Sequence, residues 1–443
     1  MADIIIIGAG PGGCRAADYA ARNGLQVVIF EKDQLGGTCL NHGCIPTKCY
    51  AHDAELIQQL RQQPAGIANL AFDIDFKAIV ARKDAVTAQL RQGLETMLAR
   101  PGITLVRDRA LLRDNHTVVA ESTGQEYTAP NIIIATGSEN NTLPLPVTGH
   151  DMVVDSTQLL SEDTLPLSLC IIGAGVIGME FASIYNALGV EVTVVEYLKE
   201  CLPAIDDDIA RRLRKILAQR GITFIMQAAV TAIGDGTVTY TRKGKEETLQ
   251  VAKVLMAVGR KPRFSPGLDN AGLTWDAKRG IVADSATCET AVSGIYAIGD
   301  VNTHHMLAHA AEQQAVAAVR HILKEEVLLP APMPAAIFTN PEAAAVGPSE
   351  EQCKAQGIDY ICKKAYWRAN GRALATGQSD GMLKLLARPD GTIISCHACG
   401  SHSADIIQEV AALICRQTTL QQLADITHIH PTIGEILHSA ACS

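Results

Sequence analysis

Aromatic side chains are scarce. Trp, Tyr and Phe make up 4% of the 443 residues, so any core must be built from aliphatic side chains and alanine. No apolar run approaches the roughly 20 residues that span a bilayer as a helix. Basic residues are outnumbered, 38 Lys+Arg against 47 Asp+Glu for a net charge of −9, and they form no run. That argues against a nucleic-acid surface. The first candidate strand begins at Asp3, which leaves no room before it for the charged and apolar regions of a secretory leader. These absences lead to the expectation of a soluble, cytoplasmic protein whose partners include neither membrane nor nucleic acid. Thirteen cysteines are too few for a disulfide scaffold in a chain this long, and the number is odd. Most are expected as buried thiols in a reducing compartment, and a pair that stands out needs its own chemistry. What the chain does have is apolar material, 47% of residues, enough for large cores and too much for a disordered chain. At ~150 residues per domain the length suggests about three domains.

The first 31 residues form a readable unit. Ile4-Ile5-Ile6-Ile7 predicts a strand buried on both faces. Gly8-Ala9-Gly10-Pro11-Gly12-Gly13 follows at once, then a helix over 14–22 closed by Asn23-Gly24, then a strand Val27-Val28-Ile29-Phe30 ending at Glu31. The unit recurs as strand 169–172, turn Gly173-Ala174-Gly175-Val176-Ile177-Gly178, helix 179–188, and strand 192–195 ending at Glu196. Glu31 stands 23 positions after Gly8, and Glu196 stands 23 after Gly173. A lone G-x-G-x-x-G is weak. Two complete βαβ units with the acid at the same offset point to two dinucleotide sites. In each, Gly8 and Gly10, or Gly173 and Gly175, let the backbone turn sharply toward a pyrophosphate. Gly13 or Gly178 lets the helix pack close to the strand, and the helix N-terminus faces the phosphates. The terminal acid accepts from a ribose hydroxyl, and at Glu196 it repels a 2′-phosphate, favouring NAD(H) over NADP(H). The bland alternative is an ordinary βα turn whose glycines serve packing alone.

Cys39 and Cys44 stand five apart just after the first unit. A regular helix would separate them by ~7.5 Å along its axis, longer than a comfortable disulfide, but Gly43 and Pro46 suggest a distorted segment. Three readings stay open here: a redox-active disulfide, two buried thiols, or a metal site using Cys39, His42 and Cys44. The last lacks a fourth nearby ligand and the usual zinc spacing, so no metal is expected. Cys396, His397, Cys399 and His402 lie in an apolar strand and turn, and read better as buried small residues. Near the C-terminus, His430-Pro431-Thr432 places Pro431 as the first residue of a helix, across whose first turn Glu435 could reach His430. Such a pair makes a base whose tautomer the carboxylate holds. A surface histidine is equally open on these residues alone.

These motifs together resemble the pyridine-nucleotide disulfide oxidoreductase family. The likeness covers nearly the whole chain and adds Ile134-Ala135-Thr136-Gly137-Ser138, Ala257-Val258-Gly259-Arg260 and Gly299-Asp300. Asn370-Gly371-Arg372-Ala373, Asp380-Gly381 and the His-Pro-Thr tail point to its dihydrolipoamide-oxidising branch. The resemblance implies an α/β fold: two Rossmann-like dinucleotide domains, one inserted in the other, and a C-terminal α+β dimerisation domain. Its divisions would be an FAD domain at 1–140, an NAD domain at 141–262, a central return at 263–330 and an interface domain at 331–443. It implies FAD on the first unit, with Glu31 at the adenosine ribose and Lys48 near the flavin ring, paired with Glu180. Asp300 would bind the ribityl chain and Met306, Leu307, Ala308 and His309 the pyrimidine edge, with Ala110, Thr136, Gly137 and Ser138 adding contacts. NAD would lie on the second unit, completed by Val230 and Gly259. Cys39 would exchange with substrate, Cys44 face the flavin, and His430 with Glu435 act as base. The implied partners are a second copy of the chain and a lipoyl-bearing protein of a 2-oxoacid dehydrogenase complex or the glycine cleavage system. Two alternatives accompany this: an NADH-dependent reductase of another low-molecular-weight disulfide, and a docking subunit without catalysis, against which the intact Cys39, Cys44, His430 and Glu435 argue. Three positions depart from the family's pattern: Glu139-Asn140 replaces Arg-Pro, Gln314-Ala315 replaces Glu-Gly, and His42 stands between the cysteines.

Overall fold

The computed structural model describes residues 2–62, 66–327 and 332–443. It divides into two compact units, each discontinuous in sequence. The first is Met1–Thr47, Ala78–Asn141 and Arg260–Pro330; the second is Lys48–Lys77, Thr142–Gly259 and Ala331–Ser443. The division expected between 330 and 331 lies outside the described residues.

The first unit is built on a five-stranded parallel sheet in the order Ile295–Ala297, Asn131–Ile134, Ile4–Ile7, Val27–Phe30, Ile103–Val106. Ile4 and Ile6 enter one core with the alanines of helices Pro11–Arg22 and Ala308–Ile322. Ile5 and Ile7 enter another, with Phe30, Leu112 and Val118. The four-isoleucine run is continuous because both faces of its strand are covered. Alanine lets the two helices approach closely: a Cβ on Gly12 would lie 3.1 Å from the Ala311 carbonyl oxygen. Strand Ser138–Asn140 leaves this sheet and pairs antiparallel with Arg260–Pro262.

The second unit repeats the plan with a parallel sheet in the order Thr223–Met226, Glu191–Glu196, Ser168–Ile172, Lys253–Met256, Val153–Val154. Asp235-Gly236 and Lys243-Gly244 close the two hairpins of an adjoining antiparallel sheet. The same unit holds a five-stranded antiparallel sheet, Ala335–Ile337, Ala343–Val346, Ile393–Cys399, Met382–Ala387, Ile361–Tyr366. Helices Ser403–Cys415 and Glu435–Ala441 pack on its core. No helix among the described residues is long and apolar enough to cross a membrane.

Two expectations need correction. Helices Pro11–Arg22 and Val176–Leu188 begin three residues earlier than the sequence suggests, because Gly10 and Gly175 are their N-caps and the third glycine of each turn lies inside the first helical turn. The C-terminal helix begins at Glu435, with Gly434 as its N-cap. Pro431 is therefore not its first residue; it follows a cis peptide bond in the turn before it.

Candidate functional site

In the first turn, Gly8 adopts φ +104°, and a Cβ there would lie 2.5 Å from the Ala135 carbonyl oxygen. A Cβ on Gly13 would meet the Gly8 carbonyl oxygen at 1.9 Å, whereas Gly10 faces open space. The Glu31 carboxylate is held by two backbone N–H groups, from Ala9 (2.8 Å) and Asp33 (2.9 Å). The second turn has the same construction. Gly173 has φ +104° and its Cβ would lie 2.4 Å from the Ala257 oxygen; that of Gly178 would lie 2.0 Å from the Gly173 oxygen, and Gly175 is open. Glu196 accepts from Ala174 N (2.5 Å) and Leu198 N (2.7 Å). Each open glycine leaves, at a helix N-terminus, the room a diphosphate requires. The pattern of closed, open and closed glycines fits a dinucleotide in both places.

Further candidates for the first dinucleotide gather in the first unit. Ser138 is buried, donates from Oγ to Asp300, and accepts from Arg260 Nε (2.7 Å). Thr136 donates to the Arg263 carbonyl oxygen, and the Ala110 carbonyl accepts from Ser265 Oγ (2.7 Å). Gly137 takes φ +71°. Met306 and Leu307 lead into helix Ala308–Ile322, of which Ala308 and His309 are the first two residues. Two departures from the family's pattern find partners here. Glu139 pairs with Lys261 (3.1 Å) and Arg263 (3.5 Å). Gln314 Oε1 accepts from Gly299 N (2.7 Å) and Asn302 Nδ2 (3.1 Å), tying down the turn that carries Asp300. A neutral acceptor suffices for two N–H groups.

The cysteine segment is broken as expected. Cys39 lies in helix Gly37–His42, Gly43 breaks the backbone at φ −145°, ψ −111°, and Cys44 opens helix Cys44–Arg61. Both cysteines are half-buried, whereas eight of the thirteen are buried. Burial pushes the Cys14, Cys170, Cys288 and Cys399 thiols up to about 12, which keeps them protonated and unreactive. Among the described residues no three His, Cys, Asp or Glu side chains converge as a metal site. Cys396 and Cys399 are fully buried, and His397 accepts at Nδ1 from Asp206 N (3.0 Å).

In the second unit, Lys48 Nζ donates to both Glu180 oxygens (2.9 and 3.0 Å). Val230 sits at a bulge in strand Ala228–Gly234, and Gly259 takes φ +95° facing open space. His430 Nδ1 lies 2.9 Å from Glu435 Oε1, and Thr432 N donates to Glu435 Oε2 (2.9 Å). These two bonds, the backbone one foremost, hold the Glu435 carboxyl below its ordinary range. A carboxylate at Nδ1 fixes the proton there and leaves Nε2 as the acceptor. The His430 side chain is 80% exposed, so that acceptor is open to a substrate.

A family profile described as pyridine nucleotide-disulphide oxidoreductase matches residues 2–315. The chain belongs to that family. Residues 333–441 match the dimerisation domain of the pyridine nucleotide-disulphide oxidoreductases. The dihydrolipoyl dehydrogenase of Mycoplasma pneumoniae is 35% identical over 98% of this chain and 96% of its own length. That of Geobacillus stearothermophilus is 36% identical over 99% and 95%. Among solved structures, LpdA of Mycobacterium tuberculosis superposes with a TM-score of 0.90 at 27% identity, covering 100% of this chain and 99% of its own. The HOCl-induced flavoprotein disulfide reductase RclA of Escherichia coli gives 0.89 at 28%, covering 99% of each. The family explains the duplicated dinucleotide plan and the α/β architecture with its C-terminal domain.

The sequence reading missed a buried ionic cluster. Lys384, 1% exposed, donates to both Asp206 oxygens (2.7 and 2.8 Å), to Asp208 (3.2 Å) and to Glu350. Asp206 is also the N-cap of helix Asp207–Gln219. The signal was a lysine inside the apolar run Met382-Leu383-Lys384-Leu385-Leu386.

Proposed function

We propose that this protein is a dihydrolipoyl dehydrogenase: it oxidises dihydrolipoamide to lipoamide through a Cys39–Cys44 disulfide and passes the electrons to NAD⁺. The observation that carries this is the His430–Glu435 pair, a tautomer-fixed base with its acceptor nitrogen exposed. The full-length likeness to dihydrolipoyl dehydrogenases supports it.

His430 Nε2 takes the proton of one dihydrolipoyl thiol. The resulting thiolate attacks the Cys39 sulfur, the Cys39–Cys44 bond breaks, and Cys44 leaves as a thiolate. The second substrate thiol then attacks the substrate sulfur of the mixed disulfide as its proton passes to the departing Cys39 sulfur, closing the lipoyl ring and releasing Cys39 as a thiol. Gly8, Gly10, Gly13 and Glu31 would hold FAD, with Ala110, Thr136, Gly137, Ser138, Asp300 and Met306 to His309 in support and Lys48 near its ring. When bound, FAD supplies the two-electron carrier between a dithiol and a nicotinamide. Gly173, Gly175, Gly178, Glu196, Val230 and Gly259 would hold NAD. In this proposal the protein works as a homodimer in the cytoplasm, His430 of one copy serves Cys39 of the other, and a lipoyl-bearing protein presents the substrate.

The test is a pair of assays on the flavin-loaded protein. Dihydrolipoamide-dependent formation of NADH, lost in Cys39→Ser, is the expected result. NADH-dependent reduction of small disulfides without dihydrolipoamide oxidation would place the protein instead among disulfide reductases of the kind RclA represents.

A further inference from the structure

Lys48 is braced by more than its carboxylate. The Phe338 ring faces its ammonium, with Nζ 4.5 Å from the ring centroid. The Phe338 backbone N–H donates to Glu180 Oε1 (2.8 Å), one of the two oxygens that receive Lys48. Two residues on, Asn340 N donates to Ser183 Oγ (3.0 Å), one helical turn after Glu180, and Asn340 Nδ2 donates to Gln58 Oε1 (2.9 Å) on the helix that carries Lys48. The segment leaving strand Ala335–Ile337 is thus stitched to both helices that supply the ion pair. The Glu180 side chain is 6% exposed and that of Lys48 33%, so the pair sits where an aromatic face is felt by a cation.

We propose that Phe338 is a positioning residue: its ring and backbone N–H fix the Lys48 ammonium against Glu180 and so set the charge presented to the flavin. This rests on the reading above, in which Lys48 stands near the flavin ring. The backbone N–H takes part of the Glu180 acceptor capacity, which leaves the ammonium less fully neutralised. The ring confines it to one side of the carboxylate. No backbone change is needed to separate the two contributions, because every substitution keeps the N–H while Phe338→Leu removes only the aromatic face.

The experiment compares wild type, Phe338→Leu, Phe338→Tyr, Lys48→Met and the Phe338→Leu/Lys48→Met double variant, each loaded with FAD. The readout is the equilibrium of the bound flavin against NAD⁺/NADH mixtures, followed by absorbance. Phe338→Leu should shift that equilibrium about tenfold toward oxidised flavin, ~30 mV for a two-electron couple. Phe338→Tyr should stay within about twofold of wild type. In the Lys48→Met background Phe338→Leu should change nothing further, an outcome that generalised loss of packing would not give. A Phe338→Leu equilibrium equal to wild type, or an equal shift with and without Lys48, would overturn the proposal. A wild-type protein that binds no flavin would instead overturn the reading on which it rests.

Discussion

The two glycine turns repeat each other nearly atom for atom and then diverge after the acid. In both, an alanine N–H meets the acid's carboxylate, and the same alanine's carbonyl accepts from a later loop residue: Gly36 N to Ala9 O (2.8 Å), Leu202 N to Ala174 O (2.9 Å). In the first, that loop turns directly into the cysteine-bearing helix. Gly37, at φ +57°, packs so tightly that a Cβ would lie 2.8 Å from Gly10 Cα. In the second, the loop passes through Tyr197 and Leu198, 75% and 43% exposed, before Asp206 caps the next helix. Val176 beside the second turn is 45% exposed. The same glycine turn is therefore packed against the start of the cysteine-bearing helix in one place and flanked by exposed side chains in the other. That difference suits the roles proposed above, a resident dinucleotide at the first turn and one that arrives and leaves at the second.

The largest effect should come from the closed glycines. A Cβ at 1.9 or 2.0 Å from a backbone oxygen cannot be accommodated without moving helix from strand, and overpacking of even a milder kind costs about 1–3 kcal/mol. Gly13→Ala should lower the melting temperature sharply and yield protein without flavin. Gly178→Ala should leave flavin bound while NAD⁺ reduction is lost. The open glycines invert this. Gly10→Ala and Gly175→Ala should fold with near-normal thermal stability and lose cofactor affinity at their own turn only. Equal melting temperatures for Gly13→Ala and Gly10→Ala would break the assignment of closed and open positions.

A second contrast lies in what anchors the chain after each acid. The loop that follows Glu196 ends at Asp206, held by the buried Lys384 with Glu350. Burial acts to raise the Glu350 pKa, but hydrogen bonds from Lys384 and Tyr360 outweigh it and bring it down to about 2. A carboxyl depressed on folding stabilises the native state above its unfolded pKa, near 4.5, and that stabilisation is lost as the pH falls toward 2. Lys384→Met, which leaves buried carboxylates without their cation, should cost about 3–5 kcal/mol at pH 7. Glu350→Gln should be less stable than wild type by a constant margin above pH 5, and the margin should shrink between pH 4.5 and 2. Denaturant unfolding across that range measures it, and a margin unchanged down to pH 2 would mean that Glu350 keeps no depressed pKa.

Much of this was legible in the chain because its cause is local. A run of four isoleucines, glycines at fixed offsets and an acid 23 residues on each have a backbone reason that neighbours alone supply. The break between Cys39 and Cys44 was legible for the same reason, since Gly43 lies between them. Lys384 was not. A lysine in a strand reads as an exposed position, and what makes it internal is Asp206, 178 residues away in sequence. Phe338 was invisible likewise, because its ring acquires meaning only from Lys48 and Glu180. The turn at Pro431 misled for a subtler reason: proline suits both a first helical position and the turn before one, and only the bond from Thr432 N to Glu435 selects the later start.

The smallest effect, and the sharpest test of the comparison, concerns the two acids themselves. Glu31 and Glu196 have the same offset and the same backbone partners, so their substitution should differ only through what each turn holds. Glu196 is 8% exposed with both oxygens engaged by N–H groups, a geometry that fixes the carboxylate where it can accept from a 2′-hydroxyl and repel a 2′-phosphate. Glu196→Ala should lower kcat/KM for NAD⁺ by about 10- to 100-fold, the worth of one lost charged hydrogen bond of ~1.5–3 kcal/mol. It should raise kcat/KM for NADP⁺, because the charge that repels the 2′-phosphate is gone, so that the preference between them collapses while bound flavin stays at wild-type levels. Glu31→Ala should do the reverse, weakening flavin retention on gel filtration and leaving the NAD⁺ to NADP⁺ ratio of the reloaded protein where it was. If Glu31→Ala altered that ratio, or Glu196→Ala shed flavin, the division of the two turns between resident and exchanging dinucleotide would be wrong, however closely their glycines agree.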